Sequence, residues 1–304
     1  MFARSIILLA IAALAQGRAV RRQACNATGT PANVTTAAAS IVYDGRVKAN
    51  ATAADFDLST GPFGPDFVRG QNVSFSELVA FPSVEPSIFD AKVGSKAFEV
   101  QINDKSIFVP GGNIANAQTA VRRTELIPNG GGNTTVGVKT LHFSLRPSVE
   151  NPLNISHEYS LVFLERADFS ANLFMLRTGT LLGSNGSTKN DLVLQGNTAF
   201  GTPTLFTTPF AADAWTNVAL QLDFTANTIQ VFTSTGNAPL VQASEPLAND
   251  LAGNGAFHFG VNKNPTDPGA DFLRQGFQSS GILEGVVYGG IFVEDTTNAT
   301  VSLS

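Results

Sequence analysis

Val218-Ala219-Leu220-Gln221-Leu222-Asp223-Phe224, a turn at Thr225-Ala226-Asn227, then Ile229-Gln230-Val231-Phe232: on this stretch the fold reading turns. Side chains alternate between the two faces of a strand, so Val218, Leu220, Leu222 and Phe224 share one face, and Gln221 and Asp223 share the other. A short turn between two such runs makes a hairpin. The same period recurs at Leu141-His142-Phe143-Ser144-Leu145-Arg146, at Ala256-Phe257-His258-Phe259-Gly260-Val261 and over residues 286–293. Gly, Pro and Asn clusters separate these runs. Helical character is confined to brief segments near residues 53–57 and 76–79. Many antiparallel strands with turns between them predict an all-β sandwich or jelly roll.

A second strand carries charge. In Val121-Arg122-Arg123-Thr124-Glu125-Leu126-Ile127, Arg123 and Glu125 point the same way. A guanidinium beside a carboxylate keeps it ionised and fixes its rotamer. In a groove this holds an acid in place; on an exposed surface it is a pair worth under ~1 kcal/mol.

The N-terminus predicts a secretory signal over residues 1–19. Arg4 gives the basic start, residues 6–14 are apolar, and Ala13-Leu14-Ala15 and Gly17-Arg18-Ala19 both offer cleavage spacing. Arg21-Arg22 reads equally as a second trimming site or a chance pair. Residues 20–40 lack periodicity and predict a flexible, glycosylated segment, and residues 41–304 predict one domain. Sequons at Asn26, Asn33, Asn50, Asn72, Asn133, Asn154, Asn185 and Asn298 agree with an extracellular, secreted chain. The single Cys25 has no internal partner, so stability rests on a large core. The net charge of −5 and the lack of a basic run argue against nucleic acid and membrane surfaces as partners. The three histidines and one cysteine lack metal-ligand spacing, and phosphate-cradle, dinucleotide and Gly-x-Ser-x-Gly motifs are missing. The expectation is a monomer needing neither metal nor organic cofactor.

Trp215, the strand to Phe224, the turn and the end at Thr233-Ser234-Thr235-Gly236 resemble the strand pair of concanavalin-like jelly rolls. That resemblance implies two stacked antiparallel sheets and a concave substrate groove. A longer series resembles glycoside hydrolase family 131, a fungal family of secreted β-glucanases. It comprises Tyr43-Asp44-Gly45-Arg46-Val47, Pro65-Asp66-Phe67-Val68-Arg69-Gly70-Gln71-Asn72, Phe81-Pro82-Ser83-Val84-Glu85-Pro86-Ser87-Ile88-Phe89-Asp90 and Lys105-Ser106-Ile107-Phe108-Val109-Pro110-Gly111-Gly112. It continues through Arg122-Arg123-Thr124-Glu125-Leu126, Gly137-Val138-Lys139-Thr140-Leu141-His142-Phe143-Ser144, Leu153-Asn154-Ile155-Ser156-His157-Glu158-Tyr159, Thr178-Gly179-Thr180-Leu181-Leu182-Gly183-Ser184-Asn185 and Glu284-Gly285-Val286-Val287-Tyr288-Gly289-Gly290-Ile291-Phe292.

The resemblance implies hydrolysis of β-1,3-, β-1,6- and β-1,4-linked glucans by two glutamates in a cleft. These fall on Glu125 and on Glu165 in Leu161-Val162-Phe163-Leu164-Glu165, with a cleft histidine at His258. Arg122, Arg123, His258 and Phe163 are the candidate substrate-binding residues. On the residues alone, Arg123 lowers the pKa of Glu125 and suits it to act as base or nucleophile. Glu165, sharing its strand face with Leu161 and Phe163, is expected in a drier setting that suits a general acid; the bland alternative is a solvated acid paired with Arg166. His258 is read equally as a hydrogen-bond partner of sugar or carboxylate and as a structural histidine. His142 is read as a weaker candidate beside solvated neighbours. Asp44, Asp66 and Asp104 are read as turn caps. Phe stands at 75 and 163, where the resemblance implies Trp, and no Cys lies near the C-terminus. A non-catalytic β-glucan-binding lectin on the same scaffold and a structural wall protein are the competing readings.

Overall fold

The computed structural model describes residues 37–130 and 132–304. The expected signal segment, Cys25 and the sequons at Asn26 and Asn33 lie outside the described residues. The strands of the two main sheets are β1 (Ser40–Asp44), β2 (Val79–Ala80), β3 (Phe98–Asn103), β4 (Arg122–Leu126), β5 (Val138–Pro147), β6 (Glu158–Arg166), β7 (Asn172–Gly179) and β8 (Asp191–Gln195). They continue with β9 (Thr204–Pro209), β10 (Thr216–Asp223), β11 (Thr228–Thr235), β12 (Val241–Gln242), β13 (Leu247–Ala248), β14 (Gly255–Lys263) and β15 (Leu283–Asp295). The one short α-helix among the described residues is Ile88–Ala91; the segments expected near 53–57 and 76–79 are 3-10 turns at Ala53–Asp57 and Phe75–Glu77.

Two antiparallel sheets stack as a jelly roll. The front sheet has six strands in the order β9-β8-β7-β6-β14-β4. The back sheet has nine, ordered β12-β11-β10-β5-β15-β3-β2, with β13 on β11 and β1 on β15. The alternation predicted for residues 218–232 is realised: β10 and β11 pair from Thr216↔Thr235 to Asp223↔Thr228. Val218, Leu220, Leu222, Ile229 and Val231 enter the inter-sheet core with Phe143, Phe174, Phe257 and Phe259. Trp215 is buried and donates its indole N–H to the Glu85 carbonyl at 2.8 Å. The first strand of the sheet starts at Ser40, one residue before the expected domain boundary, and Ala37–Ala38 pairs with Ala299–Thr300.

The front sheet departs from regular pairing at four points, two of which adjoin each other at Leu161. Between Leu176↔Val162 and Arg177↔Ser160, β6 spends an extra residue, Leu161, against β7. Between Phe259↔Val162 and Asn262↔Ser160, β14 spends an extra residue against β6. Such bulges bend a strand and re-aim its side chains. They leave backbone groups buried without ladder partners, and the hydroxyl of Tyr288, rising from β15 in the back sheet, meets them. It accepts from Gly260 N–H at 3.0 Å and lies within donating distance of the carbonyls of Gly260 (2.6 Å) and Leu161 (2.8 Å). Gly260 has φ 151°, and a Cβ there would collide with the Thr124 carbonyl oxygen, so only glycine fits.

Tyr288→Phe keeps the ring and strands these backbone groups. We expect a loss of about 1–3 kcal/mol, read as a lower midpoint in denaturant unfolding; an unchanged midpoint would remove Tyr288 from this role.

Candidate active site

The face of the front sheet turned away from the core carries a cavity of about 740 Å³. Because of the bulge at Leu161, the groove-facing residues of β6 are Ser160, Phe163 and Glu165, while Leu161 joins Val162 and Leu164 in the core. Arg123 and Glu125 of β4, Asn172, Met175 and Arg177 of β7, and Asn262 of β14 complete the floor. Arg69, Phe108, Gln118, Phe169 and Phe272 contribute from loops.

Glu125 is the most heavily engaged carboxylate. Its Oε2 accepts from Arg69 Nε at 2.8 Å and from His258 Nδ1 at 3.2 Å, and its Oε1 lies 3.6 Å from Arg123 Nη1 without a hydrogen bond. The residue opposite Glu125 across the ladder is Gly260, so no side chain fills the space beside the carboxylate, and the His258 ring, two residues along, reaches it. Burial pushes the Glu125 carboxyl up. The His258 hydrogen bond and the charges of Arg123, His258 and Arg69 outweigh that and hold it far below the usual carboxylate range.

His258 stands between two acids. Its Nε2 lies 3.4 Å from Glu165 Oε2, and its ring stacks on Phe163 at 4.3 Å with 18° between planes. Burial lowers its pKa, but the bonds and charges of Glu125 and Glu165 win and raise it, favouring the imidazolium with both nitrogens donating. Arg69 adopts a left-handed φ of 71° and its guanidinium sits over both Phe67 (5.4 Å) and Phe108 (5.1 Å). A non-glycine residue there is uncommon, and the aromatic faces and Glu125 repay the strain.

The remaining lining is short of partners. Six buried polar atoms without a hydrogen bond belong to cavity residues: Gln118 Oε1, Arg123 Nε, Glu125 Oε1, Asn172 Oδ1, Arg177 Nε and Asn262 Oδ1. Buried polar groups are normally satisfied, so a concentration of orphans in one cavity marks a surface made for a polar ligand.

A family model of the glycoside hydrolase 131 catalytic N-terminal domain matches residues 41–299. The chain belongs to glycoside hydrolase family 131. Two of the solved structures that share its fold belong to the same family. One is a GH131 β-glucanase catalytic domain from Podospora anserina, with 24% identity and TM-score 0.67 over 87% of this chain and 98% of that one. The other is the catalytic domain of a family 131 protein from Coprinopsis cinerea, with 23% identity and TM-score 0.64 over 87% of this chain and 97% of that one. The comparison with curated proteins gives no match.

In this glycoside hydrolase the expected residues are largely brought together, with corrections. Glu125, Glu165, Arg123 and Phe163 line the cavity. Arg122 does not: it lies on the opposite face of β4 and its guanidinium donates to the Thr119 and Val121 carbonyls. His258 is 1% exposed, lies outside the cavity lining, and has a carboxylate facing each of its nitrogens. The dry setting expected for Glu165 is absent, because Leu161 faces the core and the Glu165 side chain is 30% exposed. Arg166 pairs with Asp168 and leaves Glu165 to His258. His142 is fully buried, 2.9 Å from Glu294 and stacked on Phe292, far from a solvated face. Phe75 belongs to the core. Arg69, Arg177, Asn172 and Asn262 went unflagged as site residues; the signal for Asn262 was its place four residues beyond His258 on the same strand face.

The two shifts act in opposite directions with pH. The lowered Glu125 contributes stability present above the ordinary carboxylate value and lost as pH falls through its depressed folded value. The raised His258 contributes stability present below about 6.5 and lost as pH rises through its folded value. His258→Gln should therefore cost most near pH 5–6, and the difference from wild type should shrink above neutrality. Unfolding free energies across pH 5–9 measure it; a constant difference would contradict a charged bridge.

Proposed function

We propose that the protein is a secreted hydrolase of β-linked glucans, taking β-1,3, β-1,6 and β-1,4 linkages, and that Glu125 and Glu165 carry the reaction. The observation supporting it most is the carboxylate pair joined through His258 at the floor of a cavity lined by orphaned polar atoms. A polyhydroxylated chain offers a donor or acceptor to each of them. The β-glucan assignment draws on the Podospora anserina relative, a GH131 β-glucanase. Secretion draws on the sequence start and on the exposure of Asn50, Asn72, Asn133, Asn154, Asn185 and Asn298, the sequon asparagines of the described residues.

Glycosidic cleavage needs one group to protonate the leaving oxygen and another to activate water or attack. Glu125, held ionised by three cationic neighbours, is unsuited to donate a proton; its unbonded Oε1 takes the proton of the attacking water as the water oxygen bonds the anomeric carbon and the bond to the leaving oxygen breaks, and exchange with solvent then returns a proton to Glu165. The same cations make it a weak base, so its charge works chiefly by facing the oxocarbenium-like transition state. Glu165, protonated before the reaction, gives its proton to the leaving oxygen, and His258, hydrogen-bonded to Glu125 and 3.4 Å from Glu165, fixes their orientation. Contacts of 3.2 and 3.4 Å on opposite nitrogens of one ring keep the two acids on either side of the imidazole, and on this reading the gap between them holds a water, so that hydrolysis inverts the anomeric centre.

Glu125→Gln and Glu165→Gln should each lower kcat on laminarin, pustulan or cellulosic glucans by about 10²–10⁴-fold; Glu165→Gln should keep the wild-type unfolding midpoint, whereas Glu125→Gln should also lower it, because it removes the buried charge that Arg69, Arg123 and His258 are packed against. Glu165→Gln should be milder on aryl glucosides, whose leaving group departs without a proton, and Glu125→Gln should not. Wild-type rates in either variant would remove that residue from the mechanism. Glucan binding by wild type with no new reducing ends would replace hydrolysis by a lectin function.

A further inference from the structure

Phe169 is 79% exposed and has φ 60°, a left-handed conformation that an aromatic residue rarely adopts. It sits in the turn between β6 and β7, which holds it firmly. Its N–H donates to the Arg166 carbonyl at 2.9 Å, and Asp168 Oδ1 accepts from Ser170 N–H and Oγ at 3.1 and 2.6 Å. Glycine or asparagine would occupy that φ with less strain, and neither would leave an aromatic ring in water. The turn chemistry therefore does not account for a phenylalanine.

Its location does. Phe169 lines the same cavity as Glu125 and Glu165, at the end where β6 leaves Glu165 and turns into β7. Asn172, just beyond the turn, also lines the cavity with its Oδ1 lacking a hydrogen bond. The backbone N–H of Asn172 donates to Thr198 Oγ1 at 2.9 Å, tying this turn to the neighbouring one between β8 and β9. That second turn carries Phe200, 67% exposed. Two adjacent turns at one end of the front sheet thus each expose a phenylalanine, and the nearer one is continuous with the cavity.

We propose that Phe169, extended by Phe200, forms an outer subsite that stacks the β-linked glucose residues on the leaving-group side of the cleaved bond. A pyranose in a β-glucan presents a face of C–H groups to an aromatic ring and a rim of hydroxyls to groups such as Asn172 Oδ1; the negative ring face attracts the C–H edge. The side follows from the chemistry. Glu165 protonates the oxygen that departs, so the departing sugar lies beyond Glu165, where Phe169 stands. The proposal rests on the reading of Glu165 as proton donor in a glucan hydrolase.

The test is hydrolysis of a β-gluco-oligosaccharide ladder, in the linkage cleaved fastest, by wild type, Phe169→Ala, Phe169→Trp, Phe200→Ala and Phe277→Ala. Phe277 is 61% exposed and lies outside the cavity lining, so its variant is the control. Phe169→Ala should lose about tenfold in kcat/KM on the longest oligosaccharides, mostly through KM, and far less on the shortest. Phe200→Ala should lose less, Phe169→Trp should keep the length dependence, and Phe277→Ala should match wild type. Unfolding midpoints should agree throughout. Equal losses of Phe169→Ala on short and long substrates, or no loss, would overturn the subsite. If wild type cleaves no glucan, the proposed function fails, and calorimetric titration of the same oligosaccharides decides the subsite alone. Weaker binding by Phe169→Ala would then support it; equal binding, or none by wild type, would overturn it.

Discussion

A single hydroxyl at the centre of the molecule holds the front sheet in the shape its chemistry requires. Tyr288 crosses from the back sheet to the point where β6 and β14 each carry an extra residue, and it meets Gly260 N–H and the carbonyls of Gly260 and Leu161. Unpaired buried backbone groups cost on the order of 1–3 kcal/mol each, so these bulges need such a partner. With the bulges in place, Ser160, Phe163 and Glu165 face the groove although a regular strand could not put all three there. Gly260 leaves room beside Glu125, and His258 fills it. Packing in the core and chemistry in the groove meet at these few residues.

The charge cluster then explains its own arrangement. A carboxylate as buried as Glu125 would be unstable alone. Arg69, Arg123 and His258 compensate it, and Glu165 shares the load by facing the other nitrogen of His258. Phe108 lies under both guanidiniums and Phe163 under the imidazole, which keeps the cations packed and oriented. One acid is thereby locked in its charged form, and its companion stays partly exposed at the cavity. Unlike environments for two carboxyls are what acid–base division of labour requires.

Much of this was readable from the chain. Alternation in residues 218–232, 141–146 and 256–261 gave the strands, the Arg123/Glu125 spacing put both side chains on one strand face, and the family resemblance carried Glu165. What alternation cannot see is a bulge: an extra residue at Leu161 flips the face, which is why Leu161 was set beside Glu165 when it belongs to the core. Arg122 misled because adjacent arginines on a strand face opposite ways, and only the sheet's position says which side is the groove. His142 looked solvated because its partner, Glu294, is 152 residues away in sequence. Arg69 lies 56 residues from Glu125 and acts through a left-handed turn that no local pattern encodes. These are long-range contacts, and strand periodicity carries no information about them.

The central claim is that two carboxylates act across the width of one imidazole, with water between Glu125 and the anomeric carbon. Proton NMR of the first sugar released from a β-glucan tests it most directly. Inversion predicts that the α-anomer appears first and then mutarotates to the equilibrium mixture; a first-formed β-anomer would mean a covalent intermediate on a closer carboxylate and would contradict the account.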